Sequence, residues 1–169
     1  STLYCLSDTL IRDYPMQYWL LKTEPDAFSI DDLANMPNLI EHWEGIRNYQ
    51  ARNFLRDGVK RGDLVFIYHS SCKDVGIVGL AEVVKEGYAD HTQFDPESKY
   101  YDPKSLEEMP RWIMVDIQFK QKFAQTLTLK KIKRMPEIED IGLIKKGHRL
   151  SIMPVKQNEF EWLLRNCQQ

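Results

Sequence analysis

One feature of this sequence has the clearest chemistry. It is an aromatic side chain that lies outside any predicted helix or strand and is followed closely by polar side chains. Trp43 lies in a predicted loop just before Gly45, and Arg47 and Asn48 follow. An indole in a loop can form a stacking wall for a flat ligand, although tryptophan also packs inside protein cores. A guanidinium can form two parallel hydrogen bonds with a phosphate or with the edge of a planar ligand. Asn48 is equally suited to capping the helix that follows it.

Three more groups of side chains have the chemistry of a ligand pocket. Lys22 and Glu24 flank the end of the first predicted strand, where they can hold the polar edge of a ligand or simply pair with each other. The run Tyr68-His69-Ser70 follows a buried strand, and we expect it to line the pocket floor unless the histidine is structural. Tyr100 and Tyr101 lie in a long loop and are expected to supply the opposite wall or a lid, or else to pack the loop.

Lys22, Thr23 and Glu24 also form a short run of residue types that are used in nucleophilic catalysis. A desolvated lysine can activate a threonine hydroxyl while a carboxylate carries protons. Neighbouring residues on a strand point to opposite faces, which places Lys22 and Thr23 poorly for a direct pair. Cys72 and His69 are a second candidate pair, but a cysteine in a loop is more often incidental. We therefore expect a binding protein rather than an enzyme.

The metal-ligating residue types are scattered along the chain. His42, His69, His91 and His148 form no pair at helical spacing, and the three cysteines are far apart. Zinc sites and disulfide scaffolds both need clustered ligands. We therefore expect no metal, no cofactor and reduced thiols.

Composition and charge indicate a class of protein and argue against others. A chain of 169 residues with 43% hydrophobic and 28% charged residues is typical of one soluble globular domain. No apolar run approaches the roughly 20 residues that a membrane helix needs. The net charge of −2 argues against a large phosphate-binding surface. Residues 111–156 nevertheless carry a net charge of +7, which predicts either one basic face or a set of separately solvated lysines.

Apolar periodicity and turn residues divide the chain into short elements. Strands are predicted at Gln17–Thr23, Asp63–Tyr68, Val75–Val84, Arg111–Phe123 and His148–Met153. Short helices are predicted after the cap residue Ser29, at Tyr49–Arg56, at Leu129–Arg134 and at Glu159–Leu164. Between them lies a loop of residues 91–110 that is long enough to be functional. The order of the elements predicts a mixed α+β domain built around a β-barrel.

Six blocks of the sequence, in order, resemble the EVE domain family. They are Tyr18–Pro25, Trp43–Leu55, Phe66–Ser70, Gly76–Val84, Tyr100–Ser105 and Pro110–Trp112. Six ordered blocks are far more specific than a single short motif. The resemblance implies an EVE domain over residues 16–166. Because a strand signal opens directly at Met16, we expect residues 1–15 to be either a non-native N-terminal extension or a short ordered arm. The resemblance also implies a PUA-like mixed β-barrel with short flanking helices.

The family is related to the YTH domain, which holds a methylated adenine in an aromatic cage, and its eukaryotic members are associated with modified cytosine in DNA. The resemblance therefore implies a nucleic-acid-binding module that reads a modified base, in DNA or RNA. We expect a monomer or weak dimer, cytoplasmic in a bacterium and nuclear in a eukaryote. The related ASCH barrel, which carries amidohydrolases, provides the alternative that Lys22, Thr23 and Glu24 form a small active site. The expected base-binding residues are Trp43, Lys22, Glu24, Arg47, Asn48, Tyr68, His69, Ser70, Tyr100 and Tyr101.

Overall fold

The computed structural model describes residues 15–167 as strands joined by short helices and loops. The strands are β1 (Tyr18–Thr23), β2 (Ile40–His42), β3 (Leu64–His69), β4 (Gly76–Ala89), β5 (Ile113–Thr128) and β6 (Ile152–Val155). The α-helices are α1 (Ile30–Ala34), α2 (Tyr49–Asn53), α3 (Leu129–Ile132) and α4 (Gln157–Cys167). Of the predicted N-terminal extension, only Pro15 lies within this range. Between residues 15 and 167, no helix has the length and apolar character needed to cross a bilayer.

The six strands form one mixed sheet in the order β2-β5-β4-β3-β1-β6. Strands β1 and β3 run parallel, whereas the other neighbours in the sheet are antiparallel. The parallel register places Lys22 beside Tyr68 and Thr23 beside His69. The carboxyl ends of two central strands therefore lie together, next to the loops that follow them.

The prediction of a mixed α+β domain is confirmed, but the prediction of a closed barrel is wrong. Among the described residues, β2 and β6 are the two edges of the sheet and do not pair with each other. These edge strands have only three and four residues, so they offer few backbone groups for closure. Both faces of the sheet are instead covered by apolar side chains, which buries the sheet without closing it.

The alternating side chains of the central strands divide the core into two layers. Trp19 and Leu21 face one cluster together with Val65 and Ile67, whereas Leu20 faces the other together with Phe66 of β3. The second cluster includes the helix α4, whose Phe160 stacks on Phe66 with ring centroids 4.3 Å apart. The candidate site described below lies against the first cluster.

Local signals explain where the short helices begin. The Ser29 side chain accepts a hydrogen bond from the Asp32 N–H, and the Asp32 carboxylate accepts one from the Ser29 N–H. This reciprocal pair is a capping box at the start of α1. The Asn48 side chain accepts from the Ala51 N–H and caps α2, which continues into a π-helical turn, Phe54–Gly58.

Two strands are longer than the sequence pattern indicates, and one was missed. Strand β4 extends to Ala89 and β5 to Thr128, because their pairing continues through several register shifts that interrupt the apolar alternation. One of these shifts lies between Ile77 and Gly79, at a glycine, which is a common residue at β-bulges. The missed strand, β2, has only three residues and is held by pairing with β5 rather than by its own pattern.

Candidate functional site

A cavity of about 540 Å³ opens beside the first core cluster. It is lined by residues from the end of β1, from the segment between β2 and α2, and from the long loop after β4. Six of the residues proposed from the sequence for binding or catalysis line it: Lys22, Thr23, Glu24, Trp43, Arg47 and Tyr100. The volume is within the range of about 300–1,000 Å³ that is typical of small-molecule sites.

Trp43 is half-buried and forms part of the cavity wall. Its backbone N–H donates to the Val115 carbonyl at 2.7 Å, so the strand pairing fixes the backbone at this point. The edge-to-face contact with Phe28, at 5.8 Å between ring centroids, holds the indole from one side. An indole anchored in this way can offer a flat surface to a ligand without first losing conformational freedom.

Tyr100 lines the same cavity and packs directly against Gly45. A Cβ atom at Gly45 would lie 2.5 Å from the Tyr100 ring, and the backbone φ of Gly45 is +87°. Glycine is therefore required here for two reasons, the left-handed backbone and the close approach of the ring. Tyr101, by contrast, is 41% exposed and does not line the cavity.

Arg47 holds the loop that carries Tyr100. Its guanidinium donates twice to the Tyr100 carbonyl, at 3.1 and 2.8 Å, and once to the Ile46 carbonyl. It also donates to the Asp90 carboxylate and to the Thr92 hydroxyl, each at 3.0 Å. These bonds use all five N–H donors of the side chain. Arg47 therefore positions the cavity wall, and its donors are not available for the ligand contact expected from the sequence.

The Asp90 carboxylate at the centre of this network is fully buried. It accepts hydrogen bonds from the Gly45 N–H, the Arg47 guanidinium and both the N–H and hydroxyl of Thr92. Burial alone would raise the pKa of Asp90, but these donors together hold that pKa below its ordinary value. Asp90 thus carries a charge that ties the segment after β2 to the loop after β4.

Lys22 is half-buried at the cavity, and this burial lowers its pKa. Its Nζ lies 5.8 Å from the centre of the Tyr68 ring. Thr23 also lines the cavity, but its hydroxyl donates to the Phe28 carbonyl at 2.7 Å. Glu24 is exposed at the cavity mouth. The structure therefore brings all three residues to one cavity while directing the Thr23 hydroxyl proton to the backbone.

The remaining predicted residues lie outside the cavity lining. Tyr68 is buried in the second core cluster. His69 accepts from the Ile30 N–H through Nε2 at 3.1 Å, and burial lowers its pKa, as befits an acceptor that must stay neutral. The Ser70 N–H donates to the Thr23 carbonyl. Asn48 caps α2, as the alternative interpretation of this residue indicated.

Sequence reasoning missed several residues that shape the site. Phe28, Gly45 and Ser151 line the cavity, and Asp90 is buried behind it. Each contributes through a contact with a residue distant in sequence, so spacing along the chain carries no signal for it. Nothing in the sequence around Gly45 indicates that the ring of Tyr100 packs against it.

The structure also brings together side chains that looked scattered in the sequence. His42 and Glu44 line the cavity, and His91 lies beside them. All three are exposed, and one ligand atom of each lies within 4.8 Å of the others. His42 is the last residue of β2 and Glu44 lies two residues further along the chain, while His91 follows β4. Separation along the sequence therefore does not keep these three side chains apart in the fold.

Comparisons with known proteins agree with this architecture. The EVE domain profile matches residues 17–166. Thymocyte nuclear protein 1 of Gallus gallus is 45% identical over 163 residues, covering 87% of this chain and 67% of the relative. A hypothetical protein from Leishmania major has a TM-score of 0.86 at 42% identity, with 93% of this chain and 98% of that chain covered.

Human THYN1 protein in complex with 5-methylcytosine-containing DNA has a TM-score of 0.81 at 39% identity. The match covers 90% of this chain and 98% of the human chain. Identity at this level over nearly the whole described fold confirms the family expected from the six sequence blocks. This chain belongs to the EVE domain family.

Proposed function

We propose that this chain is a nucleic-acid-binding module that takes one modified base, of the 5-methylcytosine type, into the cavity beside Trp43. The observation that carries the proposal is an open cavity with an anchored indole and a tyrosine in its walls, in a chain similar to human THYN1 bound to 5-methylcytosine DNA. A base is flat and has a polar edge, so a site for it needs an aromatic wall and a few fixed donors and acceptors.

The aromatic residues supply the stacking surface. Trp43 and Tyr100 both line the cavity. Trp43 packs edge to face on Phe28, and the Tyr100 carbonyl accepts a hydrogen bond from Arg47. Stacking of a base on an aromatic side chain contributes about 1–3 kcal/mol. This offsets much of the few kcal/mol needed to unstack and flip a base out of a duplex.

The charged residues match the edge of a cytosine. The Glu24 carboxylate at the mouth can accept from the exocyclic amine, as carboxylates do when they recognise cytosine. The Lys22 ammonium can donate to a ring carbonyl or to a flanking phosphate. Arg47 acts as a positioning residue, because its donors hold Tyr100 and Asp90.

The test is direct binding of oligonucleotides that differ only in one methyl group. Burial of a methyl group is worth about 0.8 kcal/mol, so we expect DNA with one 5-methylcytosine to bind about fourfold more tightly than unmodified DNA. Trp43→Ala removes this preference. Equal affinity for both oligonucleotides in the wild type overturns the proposal, and tighter binding of the matching RNA changes the partner from DNA to RNA.

Two neighbouring tyrosines provide a matched pair of variants. Tyr100 lines the cavity and Tyr101 does not. We expect Tyr100→Ala to weaken binding by about 1–3 kcal/mol, the value of one base stack, and Tyr101→Ala to bind like the wild type. Fluorescence anisotropy with the methylated oligonucleotide measures both, and equal losses in the two variants would count against the assigned wall.

An amidohydrolase remains the second candidate function, because Lys22, Thr23 and Glu24 share one cavity and burial lowers the pKa of Lys22. A lowered pKa suits a lysine that removes a proton from a nucleophile. The Thr23 hydroxyl, however, already donates to the Phe28 carbonyl. Turnover of N-acylated nucleosides that is lost in Lys22→Ala would favour this candidate.

A further inference from the structure

Two imidazoles and a carboxylate lie close together beside the cavity, and two of these three residues, His42 and Glu44, line it. His91 Nε2 lies 3.8 Å from a Glu44 carboxylate oxygen, and the His42 and His91 rings meet edge to face at 5.4 Å between centroids. One ligand atom each from His42, Glu44 and His91 lies within 4.8 Å of the others. The base-reading proposal uses none of these three side chains.

We propose that His42, Glu44 and His91 form a binding site for a divalent first-row transition metal, with Zn²⁺ as the best match. Imidazole nitrogen and carboxylate oxygen are both common zinc ligands, and two histidines with one glutamate is an established zinc ligand set. Three protein ligands leave a fourth tetrahedral position for water or for an oxygen of a bound ligand.

The geometry needs only a small adjustment to hold the ion. With bonds of about 2.0–2.2 Å, ligand atoms around a tetrahedral zinc lie about 3.4 Å apart. The separation of 3.8 Å between His91 and Glu44 exceeds this by about 0.4 Å, and no pair exceeds it by more than about 1.4 Å. The three side chains are 44%, 37% and 62% exposed for His42, Glu44 and His91, so rotation about their side-chain bonds can close the gap.

A fourth residue supports the assignment. One carboxylate oxygen of Glu41 lies 3.6 Å from Nδ1 of His42 and also accepts the His42 backbone N–H at 2.9 Å. A carboxylate beside the non-ligating nitrogen of a histidine orients the ring and strengthens it as a metal ligand. With Nδ1 directed toward Glu41, the other nitrogen, Nε2, is the one left for the metal.

The backbone holds these residues in place before any metal binds. His42 pairs with Asp116 across the sheet, and Glu44 lies one residue beyond Trp43, whose N–H donates to Val115. His91 follows Asp90, which accepts from the Gly45 N–H. The buried Asp90 carboxylate therefore keeps the loop that carries His91 close to the segment that carries His42 and Glu44.

The test is a titration of the metal-free full chain with Zn²⁺ by calorimetry at neutral pH, without nucleic acid. We expect one equivalent to bind. The double variant His42→Ala/His91→Ala and the variant Glu44→Gln should each weaken binding by about tenfold or more, because each removes a ligand. All three side chains are exposed, so these variants should keep the wild-type fold, which circular dichroism verifies.

Two control variants separate this site from other zinc ligands. Glu137→Gln removes an exposed carboxylate elsewhere, and Cys72→Ser removes a half-exposed thiol. Both should bind Zn²⁺ like the wild type, and Zn²⁺ should shift the imidazole resonances of His42 and His91 but not of His148. Wild-type affinity in the double variant, or loss of binding in Cys72→Ser, overturns the proposal. The base-reading proposal stands or fails separately, since no nucleic acid is present.

Discussion

At the scale of single residues, the shape of the cavity walls depends on contacts within the protein. Arg47 fixes the Tyr100 carbonyl with two hydrogen bonds, and Gly45 leaves the space that the Tyr100 ring occupies. From the sequence, Arg47 had the chemistry of a ligand contact. In the structure the N–H donors of Arg47 bond to other protein atoms, among them the buried carboxylate of Asp90.

Removal of the Arg47 side chain should destabilise the protein. Arg47→Ala leaves the buried Asp90 carboxylate without its cationic partner, and we expect the free energy of unfolding to fall by about 2–4 kcal/mol. Urea denaturation measures this change. Arg56→Ala is the matched control, because Arg56 pairs with Asp57 on the exposed surface and should change stability little. Equal effects of the two substitutions would contradict the role assigned to Arg47.

A methyl group at Gly45 should displace Tyr100 from the cavity. Gly45→Ala places a Cβ atom 2.5 Å from the Tyr100 ring, so we expect weaker binding of the methylated oligonucleotide in addition to backbone strain. Gly147→Ala isolates the strain, since Gly147 has a φ of +78° but no atom within 4 Å of an added Cβ. Titrations of both variants compare the two effects. If Gly147→Ala weakened binding as much as Gly45→Ala, the contact with Tyr100 would not be the cause.

At the scale of elements, Asp90 connects the segment after β2 to the loop after β4. The stability that this connection contributes should fall at low pH. The folded-state pKa of Asp90 is lowered, so its stabilisation is complete above its ordinary pKa of 3.8 and is lost as the pH falls through the lower folded value. Asp90→Asn should therefore be less stable than the wild type at neutral pH, by about 1–3 kcal/mol. Unfolding by urea between pH 7 and pH 3 should show this difference shrinking below pH 3.8. A constant difference would exclude the charge as its origin.

The positions of most elements could be predicted because their signals are local. The capping residues Ser29 and Asn48 and the apolar alternation of β5 are visible in short stretches of sequence. Strand β2 and the true ends of β4 depend instead on pairing with β5, which is distant in sequence. The local sequence pattern cannot indicate such pairing. In β4, the register shifts also interrupt the alternation of apolar residues.

At the scale of the whole molecule, the family could be recognised from six blocks, but the closure of the sheet could not be predicted. Whether the end strands meet depends on their length and on what covers each face, and α4 covers the face that carries Phe66. The contacts in the cavity lining could not be predicted from the sequence either. Arg47 and Tyr100 are 53 residues apart, and their contact follows from the loop geometry rather than from either residue type.

The most direct measurement is a crystal structure of this chain with DNA that contains one 5-methylcytosine. The account predicts electron density for the methylated base, turned out of the duplex, against the Trp43 indole and within reach of Lys22 and Glu24. A methylated base that stays stacked in the duplex, with the cavity empty and the DNA on another face of the protein, would contradict it.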